Sequence, residues 1–347
     1  METKSFIIPY SEDPGSRPLK VAAKRYRFPD RKSDNGPGVI LLLVHGVGFN
    51  KETWEPFLEE LGALQHASDA CRTHIKEAWA FDCPNHGEAA VLNDKALFNS
   101  PTHLLDISLE EYARTGLRIL TSGIIESSDK DRIIVVGHSV GSIAALWLTS
   151  MYQQEHKKLI DMLIMVEPPG EVFGKLPIMR QKSEAFIEVT KTRRDIWASK
   201  EEAFKWFAAR RPWKVWDQRA LKAYVDYGLC PLPTSGYPDR TEGVTLSCHK
   251  MHELFAYTDL PELNIVAPKL PSVRQDVPIH VIVSGKSFLR PKDAVLEQVA
   301  STPGMSTSKL PDADHLVVQE TPKLIAQEIY KVIEEAKFRR ATKRSRL

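Results

Sequence analysis

The chain has 347 residues, a net charge of +2 and 42% hydrophobic residues, so it has the length for one large domain with an insertion or two modest domains. The near-neutral charge removes the general electrostatic argument for nucleic acid as a partner. Four scattered cysteines, Cys71, Cys83, Cys230 and Cys248, contain no C-x-x-C pair, which argues against a disulfide framework and a zinc site. No apolar run reaches the ~18 residues of a membrane span. Met1–Ser5 lacks the apolar core of a signal peptide, so an intracellular, thiol-reduced protein is expected.

In chain order, Ser5–Tyr10 and Val21–Phe28 read as edge strands joined by a Pro/Gly/Ser turn region. Val39–Val44, V-I-L-L-L-V, is a continuous apolar run that predicts a strand buried on both faces. His45-Gly46-Val47-Gly48 follows it, then a helix around Trp54–Leu64. Ala78–Phe81 is a short strand ending in Asp82-Cys83-Pro84-Asn85-His86-Gly87. Leu109, Tyr112, Ala113, Leu117 and Leu120 recur at helical spacing over Ser108–Thr121. Strands are predicted at Ile133–Val136, at Met162–Val166 and, as the last clear one, at Val277–Val283; a closing helix is predicted at Thr321–Lys337. This alternation predicts an α/β protein with a mostly parallel central sheet flanked by helices.

The segment 170–270 breaks the alternation. It is helical, charged and aromatic, with few strand signals, and holds Trp197, Trp206, Trp213 and Trp216. Inserted after the sixth strand, it would sit above the strand C-termini, where open α/β sheets bind ligands, and it reads as a helical cap; a separate helical domain packed elsewhere is the alternative. The organisation expected is a core over 1–169 and 271–337, a cap over 170–270 and a basic tail over 338–347.

Gly137-His138-Ser139-Val140-Gly141 reads G-x-S-x-G. An apolar β-branched run precedes it and a small apolar run follows. Strand, glycine-flanked serine and helix are together the context of a nucleophile elbow. The serine must stand at the tip of a strained turn, where bulky neighbours clash.

The order His45-Gly46, Asp82…His86-Gly87, Gly137–Gly141, inserted cap and Asp314-His315 resembles the α/β-hydrolase fold over about residues 35–335. More narrowly, the chain is similar to fungal peroxisomal α/β-hydrolases of toxin and polyketide pathways, a group including AK-toxin biosynthesis hydrolases and the acyl-CoA hydrolase of mycophenolic acid biosynthesis. The resemblance implies Ser139 as nucleophile and His315, in a polar loop before the closing helix, as base. The common place for the acid is the loop after the last core strand. There Phe288 stands where an aspartate is expected. Glu167, at the end of the preceding strand, is therefore taken as the acid, the position that the resembled acyl-CoA hydrolases use; Asp293 is the rival. Asp161 begins its strand, at the wrong end, and Asp312 and Asp314 read as turn formers. The fold's geometry implies the N–H groups of Val47 and Val140 as oxyanion donors.

His138 flanks the serine and reads as shaping the elbow; with Phe49, Trp206 and Trp213 it is also a candidate to contact substrate. Phe204, Phe207 and Trp216 are further aromatic candidates for an acyl pocket, with cap core as the alternative. Cap residues Lys182, Lys191, Arg193, Arg194, Arg210, Arg211 and Lys214 are candidates for CoA phosphates, set against the solvated-face reading that such residues usually have. The terminal Ser345-Arg346-Leu347 is similar to the S-K-L peroxisomal signal, which makes an import receptor an expected partner, with cytoplasm as the alternative address. Together these features imply a (thio)esterase acting on an acyl-CoA or ester, with no metal or organic cofactor. An acyl transferase or cyclase on the same triad and a non-catalytic binding relative are the alternatives. Relatives often pair, so a homodimer is a further implication. Dehalogenase and epoxide hydrolase chemistry is disfavoured, because those relatives carry aspartate at the nucleophile position.

Overall fold

Alternation along the buried strands sorts the core into two layers. In the computed structural model, Ile40, Leu42 and Val44 of strand β3 (Val39–Val44) face one apolar cluster, and Val39, Leu41 and Leu43 face the other. The structure describes residues 1–11, 17–29, 38–67, 73–98, 107–127, 131–156, 160–173, 187–257, 262–287 and 292–344. Strand β3 lies mid-sheet among β1 (Glu2–Pro9), β2 (Lys20–Arg27), β4 (Ile75–Phe81), β5 (Arg132–His138), β6 (Met162–Val166), β10 (Ile279–Ser284) and β11 (Met305–Leu310). The order across the eight-stranded sheet is β1-β2-β4-β3-β5-β6-β10-β11. β2 runs antiparallel to both its neighbours and every other pairing is parallel.

Helices cover both faces, as a parallel sheet requires. Helices α3 (Leu109–Thr121) and α4 (Val140–His156) pack on one face; α1 (Glu55–Ala67) packs with the closing helix Pro322–Arg344 on the other. Ser108 caps α3: its hydroxyl accepts from Glu111 N at 3.0 Å, and Glu111 accepts from Ser108 N at 3.0 Å. Such a box contributes about 1 kcal/mol. The closing helix runs on to Arg344, beyond the boundary expected at Lys337.

Two strand elements differ from expectation. β11 follows the strand read as last; its sequence, M-S-T-S-K-L, carries little apolar signal because it forms a sheet edge. Its hydroxyls are used instead, with Ser306 and Ser308 both on the ring of His280, at 2.8 and 3.0 Å. Between β6 and β10 the chain forms helices including Lys200–Ala208 and Gln218–Gly228, together with a small antiparallel sheet ordered β7 (Ile196–Trp197), β9 (Val244–Leu246), β8 (Leu229–Pro231). Strands of two or three residues leave no readable periodicity.

The connection from β3 runs to one side of the sheet, to β4, whereas that from β5 runs to the other, to β6. The crevice of the sheet therefore opens between the C-terminal ends of β3 and β5. At the same end of the sheet, after β3 and β4, lies a buried charge cluster. The Lys51 ammonium is 2.9 Å from Asp82, 3.0 Å from Glu52 and 2.9 Å from Glu88, with its side chain 1% exposed. Asp82 also accepts the N–H groups of Lys51 and Glu88, at 2.8 and 2.9 Å. Burial opposes the ammonium charge, but the three carboxylates outweigh it and raise the Lys51 pKa. Burial and the Asp82 charge push Glu52 up to about 7.

Lys51→Met leaves these carboxylates without a counter-charge. The expected loss is about 3–5 kcal/mol in chemical denaturation at neutral pH. Glu52 has a folded-state pKa above its unfolded value, so its contribution is fully present below about pH 4.5 and is lost as pH rises through about 7. Glu52→Gln should flatten the fall in unfolding free energy across that window.

Candidate active site

Ser139 and Glu167 are the two non-glycine residues with positive φ among the described residues, at +54° and +52°. Each follows the last residue of a buried parallel strand, β5 and β6, and turns the chain sharply off the sheet. Left-handed backbone at such residues costs of order 1–3 kcal/mol and persists only where the surroundings hold it. Backbone bonds do so here: Ser139 N donates to Val166 O at 2.9 Å, and Glu167 N donates to Ile282 O at 2.9 Å.

The glycines of the elbow are steric necessities. A Cβ on Gly137 would lie 2.6 Å from Gly141 O and from Ser142 Cα. One on Gly141 would lie 2.3 Å from His45 O and 2.6 Å from Val44 O. All of these are backbone atoms, which cannot swing away. Helix α4 thereby starts directly against the end of β3, and Ser139 stands beside the loop that leaves that strand.

His315 meets both residues. Its Nε2 is 3.1 Å from Ser139 Oγ and its Nδ1 is 3.0 Å from Glu167 Oε2. A carboxylate only accepts, so Nδ1 carries the proton and Nε2 is left to accept from the serine hydroxyl. Glu167 is fully buried, and its Oε1 accepts the Ser284 N–H at the end of β10 at 2.6 Å. His138, also fully buried, places its Nε2 2.9 Å from the carbonyl oxygen of His315. Asp314 accepts the His315 N–H at 2.7 Å, and Asp161 accepts the Ile133 N–H at 3.0 Å, far from the serine end of the sheet.

The loop after β3 is held by two neutral histidines. Burial pushes the pKa of His45 down; its Nε2 accepts the Cys83 N–H at 3.1 Å. Burial, with the His45 and His252 rings, pushes His86 well down. His86 Nε2 accepts the Gly48 N–H at 2.9 Å, and its Nδ1 lies 2.6 Å from Asn85 Oδ1. Phe49 N donates to Gly46 O at 3.4 Å. Phe49 itself stacks on His138 with ring centres 6.1 Å apart and meets Trp216 at 5.6 Å. Phe49 and Leu316 thus join the loops beside Ser139 to the aromatic cluster of the inserted segment.

Residues 41–328 match the model of a family described as the alpha/beta hydrolase family. The chain belongs to the alpha/beta hydrolase family. It is 29% identical over 258 residues to the type I acyl-CoA thioesterase mpaH of Penicillium brevicompactum, covering 69% of this chain and 54% of that protein. The chain therefore spans about half the length of the curated relatives it matches. The fold superposes on the peroxisomal alpha-beta-hydrolase Lpx1 of Saccharomyces cerevisiae with a TM-score of 0.69, at 20% identity over 96% of this chain and 88% of that one. For the thioesterase domain from the curacin biosynthetic pathway the TM-score is 0.59, at 17% identity over 95% and 99% of the two chains.

In this hydrolase fold Trp206 and Trp213 sit in the aromatic cluster of the inserted segment with Trp197 and Phe207, their own rings 5.8 Å apart. Arg210 is stacked on Trp206, 4.5 Å from its ring centre. Asp293 falls in the helix Lys292–Ala300; its side chain, like Phe288, Lys182 and Ser345–Leu347, lies outside the described residues. Sequence reasoning missed the supporting roles of Asp82, His86 and Lys51. The signal available was a charged or imidazole side chain at the end of an apolar strand or in the turn after it. Among the described residues no group of histidine, cysteine and carboxylate side chains is arranged to hold a metal ion, and no helix is long and apolar enough to cross a membrane.

Gly141→Ala tests the steric reading of the elbow. The expected outcome is a loss of at least about 3 kcal/mol in thermal or urea unfolding, or failure to accumulate folded protein. Gly123→Ala is the contrast. Its Cβ would meet nothing within 4 Å, although its φ of +77° still strains the backbone, so its loss should be clearly smaller.

Proposed function

We propose that this chain is a serine hydrolase of thioesters or esters, with an acyl-CoA of a secondary-metabolite acid as its substrate class. The observation that carries the reading is the continuous relay Glu167–His315–Ser139, with both ends of it in left-handed backbone. The thioesterase relatives support thioester cleavage.

In this reading the Ser139 hydroxyl attacks the acyl carbonyl while His315 Nε2 takes its proton. Glu167, fixed by the Ser284 N–H, holds the imidazole in the required tautomer and stabilises its positive form. His315 then protonates the leaving thiolate, and a water activated by His315 hydrolyses the acyl-enzyme. The oxyanion is received by two backbone N–H groups. Val140 opens helix α4, where the first N–H groups have no partner within the helix. In the β3 loop the N–H groups of Gly48 and Phe49 are engaged by His86 and Gly46, and the hydrolase resemblance assigns the second donor to Val47. The segment 170–270 serves as the cap over this site. The reading places the protein in the peroxisome through Ser345-Arg346-Leu347 and an import receptor, supported by the likeness to Lpx1.

Ser139→Ala should lower thioester turnover by about 10⁴-fold or more while leaving the folded state intact, and a fluorophosphonate should label wild-type Ser139 only. Undiminished turnover in that variant would sink the proposal. Glu167→Gln should lower kcat by on the order of 10³–10⁴-fold, with Asp293→Asn close to wild type. The reverse pattern assigns the acid to Asp293.

A further inference from the structure

Gly48 is gripped from two directions. On its N–H side His86 Nε2 accepts at 2.9 Å. On its Cβ side the Glu253 carboxylate lies close: a Cβ would come within 3.3 Å of its Cδ and of its Oε1, tighter than ordinary contact, and the φ of +79° is itself one that side chains rarely adopt. Glu253 comes from the helix Lys250–Phe255 of the inserted segment, and its carboxylate is bound in bidentate fashion by Arg193, at 3.1 and 2.5 Å. The two side chains are 6% and 10% exposed, and Tyr257 adds a hydroxyl contact to Glu253 at 3.4 Å. Sixty residues separate the partners in sequence, so the pair fastens two distant parts of the insertion together above one glycine.

We propose that Glu253 and Arg193 are positioning residues for the oxyanion loop, which they press against His86 so that the Val47 N–H keeps its aim. The inference rests on the hydrolase reading above, in which that N–H receives the oxyanion. A bare carboxylate packed against the loop that receives the oxyanion would oppose the developing negative charge. The guanidinium neutralises it and, being planar and doubly bonded, also fixes its orientation. The pair thus supplies bulk and direction to the loop without a net charge. Removing Arg193 alone is the more damaging change, because it leaves a buried carboxylate facing the loop.

The test uses the full chain carrying Arg193→Met, Glu253→Ala and Glu253→Gln, with the exposed cap residue changed in Lys222→Ala as control. Three quantities are read: kcat and KM separately on a CoA thioester, the affinity of an alkyl boronic acid that adds to Ser139 with an oxygen in the oxyanion site, and amide hydrogen exchange over residues 44–50. Arg193→Met and Glu253→Ala should lower kcat roughly 10- to 100-fold with little change in KM. Boronate affinity should fall in parallel and loop exchange should quicken. Glu253→Gln, which keeps the bulk, should be milder than Arg193→Met, and Lys222→Ala should match wild type.

Wild-type kcat and exchange in the variants would overturn the proposal. So would a rise in KM at constant kcat and boronate affinity, which marks a wall of the substrate pocket instead. Loop exchange needs no turnover, so it judges the clamp even if Ser139→Ala were to show that the hydrolase reading is wrong. If Glu253→Ala does not fold, Glu253→Gln and Arg193→Met carry the same readouts.

Discussion

The approach of helix α4 to the end of β3 is the constraint on which the site depends. At Gly141 the two backbones come so close that a single methyl group would overlap the carbonyl oxygens of Val44 and His45. This proximity stands the serine of one strand beside the loop of its neighbour and opens the sheet crevice between them. In the proposed reading a nucleophile and an anion-receiving loop must lie within a few ångströms of one carbonyl carbon, and main-chain contact fixes how far Ser139 stands from the β3 loop. Main chain against main chain has no rotamers, so the setting does not drift.

The surrounding polar groups serve the same geometry. Asp82 gathers the N–H groups of Lys51 and Glu88, tying the β3 loop to the start of α2 (Gly87–Phe98). Gly87 is left-handed, and a Cβ there would lie 2.5 Å from the Asp82 carboxylate. The run Asp82…His86-Gly87 therefore acts as a bracket behind the loop: the aspartate holds its far end, the histidine holds Gly48 and the glycine makes room. Burial keeps His86 neutral, and only the neutral ring has a lone pair for the Gly48 N–H. The buried ammonium is compensated by the carboxylates around it; the excess negative charge of three carboxylates on one lysine is eased by solvent at Glu88 and by the raised pKa of Glu52.

The parts of this arrangement legible in the sequence are those with short-range causes. The V-I-L-L-L-V run, the G-x-S-x-G turn and the helical spacing of Leu109, Tyr112, Ala113 and Leu117 each announce a local structure. β11 was not legible: an edge strand of serine and threonine has no buried face to enforce a pattern. Nor was the strain at Glu167, since nothing local distinguishes that glutamate from an exposed one at a strand end. Its position is decided by β10, whose end offers the Ser284 N–H to the carboxylate. The ion pair of Arg193 and Glu253 is similarly non-local, and each residue alone reads as surface charge.

The insertion is bonded to the core at several independent points. Ser235 donates to Asp94 of α2, Arg219 pairs with Glu59 and Glu60 of α1, and Asp217 N donates to Gln319 O just beyond His315. Asn50 of the β3 loop reaches Tyr224 O at 3.5 Å. These ties reach the loop that carries His315 as well as the loop beside Ser139. Phe49 and Leu316 carry apolar packing across the same junctions. Core, loops and insertion are therefore tied together by polar and apolar contacts on both sides of the Ser139–His315 pair. The residues that shape the aromatic cluster also brace the loops that hold Ser139 and His315 at their distance.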